Sequence, residues 1–551
     1  MREPPTPPVR RTHDVVNQPP PLADYNAWLG DPWLATAVAA EGAGWVADEA
    51  AALGAFVGSA QMQSLAEDAN RNSPVLATHD RAGRRIDAVR YHPAYHELMT
   101  TAFGAGLHSR AWTATVPGGF VARAALNYLW NQGENGTSCP ITMTFAAAQV
   151  LNGQADLAAA WLPRVIANAY DPRPLPVASK AGATIGMAMT EKQGGSDLRA
   201  NTTVAADAGN GWFALAGHKW FCSAPMSDAF LTLAQRAEGL SCFLVPRSLP
   251  DGTRNPFQIQ RLKDKVGNRS NASAEIEYDG TLALPVGEAG RGIATLIEMA
   301  HLTRFDIVVA AAGMMRGALN QALHHTAHRR AFGDALAAQP LMRNVLADLA
   351  IEAEAALLLA LRLARAFDRQ YADESERLLT RIVTPVAKYW LCKRLPGFVV
   401  ECMECLGGNG YVEESPLARL YREAPLNGIW EGSGNVICLD VLRALTREPP
   451  ALDAYFAEIS AVAPVEPRVS RYLDVLGTEL GESADQEARA RRIAEMLALA
   501  LQASLLARHA TAEVVDAFCV SRLGADGGRA YGTLPARLDL AGIAARAALA
   551  E

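Results

Sequence analysis

Residues 406–435 read LGGNGYVEESPLARLYREAPLNGIWEGSGN. Two glycine-rich turns, Gly407-Gly408-Asn409-Gly410 and Gly432-Ser433-Gly434, bracket a segment with a helical pattern. Glu431 precedes the second turn, directly after the apolar pair Ile429-Trp430. A carboxylate set between an aromatic residue and a flexible turn can be aimed into a largely dry cleft. There its pKa rises toward the range of a general base. Glycines let backbone N–H groups come close to a phosphate. One block therefore offers a candidate base and a candidate cofactor cradle. The same Glu431 also fits a plainer role, a negative charge at the start of a helix.

Working outward, the chain has 551 residues, which predicts three or four domains. Half of the residues are hydrophobic and a fifth are charged, an ordinary balance for a globular protein. The formal net charge of −7 gives no global attraction to nucleic acid or to an anionic membrane, so such binding needs a local patch. The opening MREPPTPPVRRTHDVVNQPPPL lacks the apolar stretch of a secretory signal and reads as an extended proline-rich arm. No uncharged apolar run approaches the ~18 residues of a membrane-spanning helix. The eight cysteines are scattered in apolar settings such as Phe221-Cys222 and Cys242-Phe243. They are expected to be reduced and buried in a cytoplasmic protein.

The hydrophobic patterning predicts a multidomain α+β chain. Residues 1–30 form the arm. Residues 31–182 read as an α domain, with Ala/Leu-rich stretches such as Asp48–Ala60, Tyr95–Gly104, Phe120–Trp130 and Thr142–Asn152. Residues 183–288 read as an antiparallel β domain, because Thr202–Ala206, Trp212–Leu215, Phe230–Gln235, Ser241–Pro246 and Ala274–Tyr278 are short runs between turn residues. Residues 289–446 return to long 3.6-period patterns and predict an antiparallel helical bundle. Residues 447–551 form a further helical lobe, with Ala490–Leu506 as its clearest helix.

Three more segments could carry chemistry. Met187-Ala188-Met189-Thr190-Glu191-Lys192-Gln193-Gly194-Gly195-Ser196-Asp197 could offer hydrogen bonds to a planar polar ring, or be a plain turn. In Gly217-His218-Lys219-Trp220-Phe221-Cys222-Ser223, adjacent aromatics on a strand alternate faces, so one can flank a bound ring while the other fills the core. In His328-Arg329-Arg330-Ala331-Phe332-Gly333, Arg329 could meet a pyrophosphate and Phe332 an adenine, or the charges could simply end a helix. Cys402-Met403-Glu404-Cys405 matches CxxC but has no second pair and no suitably spaced His. His324 and His328 lack a partnering HExxH glutamate, so no metal site is expected.

Taken in this order, the segments resemble the acyl-CoA dehydrogenase flavoproteins. Thr190-Glu191 with Gly195-Ser196-Asp197 looks like that family's flavin loop, and Gly217-His218-Lys219 with Ser223 looks like its flavin strand. Arg329 with Phe332-Gly333, and Gly407-Gly408-Asn409-Gly410 with Trp430-Glu431-Gly432-Ser433, look like its remaining two elements. A narrower resemblance is to the AidB group of alkylation-response proteins, carried by MTEKQGGSD, HKWF, PLMRNVL, RLYREAPLNGIWEGSGN and CLDVLRAL. The resemblance implies FAD as cofactor, a homotetramer, weak acyl-CoA dehydrogenase activity, and a C-terminal region that binds double-stranded DNA. The small-molecule substrate would be an alkylating agent or an acyl-CoA. Met187, Met189, Thr190, Gly195, Ser196, Phe221 and Ser223 would line the flavin. Arg329, Phe332, Gly407 and Gly408 would contact the FAD of a neighbouring subunit. Trp430, Gly432 and Asn435 would lie along the dinucleotide, Glu431 would be the base, and Arg304 would belong to the substrate pocket. Phe221 stands where the family usually places Trp, and Trp430 where it usually places Tyr.

Residues 451–551 hold ten Arg or Lys against fourteen Asp or Glu, a net of −4. A duplex-binding lobe is ordinarily basic. The basic clusters left for DNA are Arg443 with Arg447, Arg489 with Arg491 and Arg492, and Arg522 with Arg529. Three readings stay open: a DNA-binding flavoprotein of the alkylation response, a metabolic acyl-CoA dehydrogenase whose tail assembles subunits, and a DNA-shielding protein with structural FAD.

Overall fold

The computed structural model describes residues 12–462, 466–524 and 526–550. The first eleven residues of the proline-rich arm lie outside that set. Helices dominate up to Val165, where Gly119–Gly133 and Ser138–Asn152 are almost wholly buried. The helical texture is broken once, by the hairpin β1 (Val75–His79) and β2 (Arg85–Arg90). The sequence reading did not separate this hairpin from the surrounding helices. Its signal was local: Asp80 accepts from the Ala82 and Arg84 amides, and Gly83 turns at φ +80°.

The middle of the chain folds into β3 (Ile185–Ala188), β4 (Val204–Gly209), β5 (Trp212–Ser223), β6 (Ala229–Arg236), β7 (Gly239–Pro246), β8 (Phe257–Leu262) and β9 (Ser273–Val286). β6 pairs with both β4 and β7, and the path β4–β5–β9–β7 closes back on it, so these five strands form a ring. Most pairings are antiparallel as expected, and β3 and β4 run parallel to β6. β3 arrives from the helical region rather than through a tight turn, which frees it from hairpin geometry. Phe230, Phe243, Phe257, Ile276 and Tyr278 fill the interior.

The third layer is built on the helix Gly292–His328, against which Pro340–Arg369 and Glu374–Cys405 pack. Its mid-section meets the N-terminal helices through a fully buried Arg123–Asp306 pair, to which Thr142 also donates at 2.7 Å. The C-terminal lobe comprises Pro450–Ser460, Pro467–Gly481, Gln486–His509, Ala512–Phe518 and Leu540–Arg546. It is tied in by charge as well as by apolar packing. Arg522 pairs with Asp348 and Glu352, Arg546 with Glu354, and Arg362 bridges Glu376 and Glu458. All eight cysteines are free and buried. No described helix is long and apolar enough to cross a membrane.

Candidate functional site

Glu431 sits between the short helix ending at Gly428 and the helix Gly434–Arg447. Its φ is +56° and that of Gly432 is +106°. Two consecutive left-handed residues turn the chain sharply, and the non-glycine one stores roughly 1–3 kcal/mol of strain that the surroundings must hold. The holding groups are visible. Lys388 Nζ donates to the carbonyls of Trp430 at 3.0 Å and Gly432 at 2.6 Å. Arg304 Nε donates to the Glu431 carbonyl at 2.9 Å. Trp430 Nε1 donates to Asn427 Oδ1 at 3.1 Å. The carboxyl of Glu431 is thereby left to face inward.

Burial pushes its pKa above the ordinary value of 4.5, while Arg304, the Thr303 hydroxyl and Lys388 pull it back. Burial likewise lowers Lys388. Arg304, expected as a substrate-pocket residue, therefore acts here on the loop itself, and its Nη1 is spent on Asp440 at 2.8 Å. Arg381 reaches the other oxygen of Asp440 at 3.1 Å. Lys388, Asp440 and Arg381 were not singled out in the sequence. Each is an ordinary helical residue whose role appears only when distant helices meet.

The loop after β3 is locked by a second buried ion pair. Lys219 Nζ donates to Glu191 Oε1 and to the Leu233 carbonyl, both at 2.9 Å. Glu191 also accepts from the amides and hydroxyls of Thr202 and Thr203. These partners hold its carboxylate well below the usual range despite burial. The Trp220 amide donates to the Thr190 carbonyl at 2.8 Å, joining the loop to β5. Met187 is buried on β3, Met189 and Thr190 follow half-buried, and Gly195 and Ser196 are exposed at the loop tip. A side chain at position 195 would strike the Thr190 side chain, which would have to turn aside.

The two aromatics of β5 do not alternate as expected. Lys219 faces Ile276 and Cys222 faces Ala274, so the strand carries one extra residue between them. Such a bulge re-aims side chains. Neither aromatic enters the core. Trp220 lies under Lys263 Nζ, 3.3 Å from the ring centroid, and Phe221 is 51% exposed. Ser223 ends the strand beside Ser273. The Cys139 thiol joins this end of the sheet to the loop. Burial pushes it up to about 11, Lys265 lowers it, the Glu431 carboxylate raises it, and Ser223 and Asn271 hydrogen-bond to it. Met187, Met189, Thr190, Phe221, Ser223, Trp430, Glu431 and Gly432 thus belong to the junction of sheet and bundle.

Arg329, Phe332, Gly407 and Gly408 belong elsewhere. Arg304 and Arg329 are 25 positions apart in sequence on one continuous helix and its cap, a rise of about 37 Å. Lys388 and Gly407 are separated by about 28 Å on the same reasoning. The first and third helices of an up-down-up run are parallel, so both elements project toward the same far end. There β10 (Arg330–Ala331) and β11 (Asp334–Ala335) form a hairpin whose turn is Phe332-Gly333, with φ +53° and +92°. Phe332 is 98% exposed at its tip. Gly407, at φ +59°, and Gly408 border open space, with no atom within 4 Å of where a Cβ would project.

The remaining expectations divide. Asn435 is exposed and accepts from Arg491 Nε at 2.9 Å, a contact from the C-terminal lobe. Arg443, Arg447 and Arg529 are exposed and form no salt bridge among the described residues. Arg522, proposed for DNA, is corrected: its guanidinium is turned inward onto Asp348 and Glu352, where a phosphate cannot reach it. Cys402 and Cys405 are buried on one helix, and no metal-holding cluster of three His, Cys, Asp or Glu occurs among the described residues.

Comparison with known proteins accords with this arrangement. Residues 17–172 match the adaptive response protein AidB N-terminal domain, 186–281 the acyl-CoA dehydrogenase middle domain, and 290–446 the acyl-CoA dehydrogenase C-terminal domain. The putative acyl-CoA dehydrogenase AidB of Escherichia coli (strain K12) is 45% identical over 94% of this chain and 96% of that protein. Acyl-CoA dehydrogenase family member 11 of Caenorhabditis elegans is 32% identical over 72% of this chain and 66% of that protein. The crystal structure of Caenorhabditis elegans ACDH-11 in complex with C11-CoA superposes with a TM-score of 0.86 at 26% identity, covering 96% of each chain. The chain has the acyl-CoA dehydrogenase fold and belongs to the acyl-CoA dehydrogenase family, in its AidB branch.

Proposed function

We propose that this protein binds FAD and oxidises an acyl-CoA thioester, with Glu431 as the base. The observation that carries the reading is the strained, doubly clamped loop that presents Glu431 with a raised pKa. The residues suit a flavin. The bulged β5 leaves the Phe221 ring half in solvent beside Ser223, on the side where Cys139 feels the Glu431 carboxylate. Met187, Met189, Thr190, Ser196, Phe221 and Ser223 would hold the ring, with Trp430, Gly432 and Asn435 along the dinucleotide. A bound flavin supplies a two-electron acceptor for the hydride leaving the β-carbon. Glu431 takes the α-proton onto a carboxylate oxygen, and the C–H electron pair becomes the new carbon–carbon double bond. Arg304 holds the Glu431 carbonyl and Lys388 the flanking carbonyls of Trp430 and Gly432, so the turn that carries the carboxyl stays fixed in both of its protonation states.

The far-end elements support a multi-chain site. Arg329, Phe332, Gly407 and Gly408 cannot reach the Glu431 loop of their own chain, so they would meet the FAD of a neighbour in a homotetramer. Buried free thiols suit a cytoplasmic protein. The test is the visible spectrum of the purified tetramer before and after anaerobic addition of acyl-CoA thioesters of varied chain length. Flavin absorbance bleached by at least one thioester is expected. A colourless protein that FAD does not reconstitute ends this reading.

A role in the alkylation response is a second reading, favoured by one observation. Arg443 and Arg447 stand one helical turn apart, exposed and without salt bridges among the described residues. Double-stranded DNA held there would be contacted through phosphates, with a steep salt dependence. Duplex titrations at two salt concentrations, with Arg443→Ala/Arg447→Ala beside the unsubstituted protein, decide it. Equal binding by both sinks this surface as the DNA site.

A further inference from the structure

The N-terminal arm reads from sequence as an extended proline-rich segment, and its described part is tied to the far end of the long helix Gly292–His328, most closely at Asn17. At Asn17 the backbone turns into the left-handed region, φ +58°, a conformation that Asn adopts more readily than most residues. The turned side chain makes a two-point pairing with Arg330. Nδ2 donates to the Arg330 carbonyl and Oδ1 accepts from the Arg330 amide, both at 2.8 Å. These are the two bonds that a neighbouring strand would make to β10. The carbonyl of Asn17 in turn accepts from the Arg329 guanidinium. Three residues on, the Pro20 carbonyl lies 2.8 Å from His324 Nε2, a second tie to the same helix end.

The hairpin needs such help. Its strands are two residues each, and a two-stranded hairpin is marginal in water. It nevertheless carries Phe332, almost wholly exposed and in a strained conformation. Arg329 beside it forms no salt bridge among the described residues. A guanidinium has five donors in one rigid plane, so a single carbonyl bond fixes that plane and leaves the other donors free for an anion.

We propose that Asn17 is a positioning residue. It acts as a surrogate third strand that holds the Arg330–Ala335 hairpin and aims Arg329 and Phe332 at the pyrophosphate and adenine end of a neighbouring chain's FAD. This rests on the reading of those two residues given above. Asn17 itself touches no cofactor.

The test is titration of the deflavinated full-length protein with FAD, followed by flavin fluorescence and by visible circular dichroism of the bound ring, together with thermal melts. Asn17→Ala is expected to weaken FAD roughly tenfold, the loss of one or two hydrogen bonds. Its melting temperature should move by no more than about 1 °C, since the residue is exposed. Asn17→Asp is expected to weaken FAD at least as much as Ala. Its carboxylate cannot donate to the Arg330 carbonyl and competes with phosphate for Arg329. Arg329→Ala is the reference. If Arg329→Ala weakens FAD while both Asn17 variants bind it normally, the positioning role is overturned and the reading of Arg329 stands. If Arg329→Ala binds FAD normally, both fall. A loss of affinity that tracks a loss of melting temperature, with Asp milder than Ala, overturns the proposal by reducing Asn17 to a brace.

Discussion

Arg304 grips Glu431 by its backbone and not by its charge: Nε donates to the Glu431 carbonyl at 2.9 Å while Nη1 is engaged by Asp440 at 2.8 Å. The cation is near enough to temper the pKa of the carboxyl, yet it forms no direct bond to the carboxyl, whose side-chain partner is the Thr303 hydroxyl. Arg304→Lys removes the rigid two-direction fork. It is expected to lower kcat by about 100-fold, the cost of a small misplacement of a reacting group. FAD content should be unchanged. Steady-state assays with the best acyl-CoA and flavin absorbance of the same sample check both parts.

The raised pKa of Glu431 sets the acid limb of the reaction. The base must be deprotonated, so kcat/KM should fall as pH drops through a value above 4.5, and not at the ordinary carboxylate range. Glu431→Gln should abolish thioester-driven bleaching at every pH while retaining FAD. A variant that still bleaches with an unchanged pH profile assigns the base elsewhere.

Lys388→Met leaves the carbonyls of Trp430 and Gly432 without their donor. Each orphaned group costs roughly 1–3 kcal/mol. The strained turn then keeps only Arg304 and the Trp430–Asn427 bond to hold it. Urea unfolding should show the loss of stability, and turnover should fall by more than the FAD occupancy does.

Glu423 makes a separate pH prediction. Burial raises its pKa to about 7, outweighing the Asn268 amide that donates to it at 2.7 Å and the cations Arg419 and Lys265. A carboxyl raised in the fold stabilises fully below its unfolded value, and that contribution is lost as pH climbs through the folded value. Between its ordinary value of 4.5 and about 7 the loss is on the order of 3 kcal/mol. Glu423→Gln should flatten that slope in denaturation curves taken across the window. A slope identical to that of the parent assigns the titration to another group.

Arg522→Ala leaves Asp348 and Glu352 short of a buried partner, although Arg394 still reaches Glu352. Breaking a buried pair from one side costs about 3–5 kcal/mol. Guanidinium unfolding should register it. Removing everything after Arg447 should be worse, because Glu354 then also loses Arg546.

What the sequence disclosed follows from range. Glu431 and the turn beside it were legible because an acid, an aromatic and two glycines adjoin within six positions. The helix end before Gly333 was equally local, whereas the hairpin that turns at Phe332-Gly333 was not read. The β1–β2 hairpin escaped because its strands are short and sit among Ala-rich helices, although Asp80 and Gly83 marked the turn. The bulge between Lys219 and Cys222 escaped because only the partner strand β9 reveals the extra residue. Lys388 and Asp440 were invisible for another reason: the carbonyls and arginines that give them meaning lie 42 to 136 positions away.

The pairing of the lobe's arginines with carboxylates has an effect at a distance. Seven of the ten basic side chains in residues 451–551 carry carboxylate partners, namely Arg468, Arg489, Arg492, Arg508, Arg522, Arg537 and Arg546. Each of these charges is offset by a carboxylate beside it, even where the pair lies in solvent as at Arg492 and Arg537, and the surplus acid sets the lobe's longer-range potential. In dilute salt this surplus should turn the lobe away from an approaching polyanion, so the orientation of an encounter would be biased by charge alone, and the bias should fade as ionic strength rises.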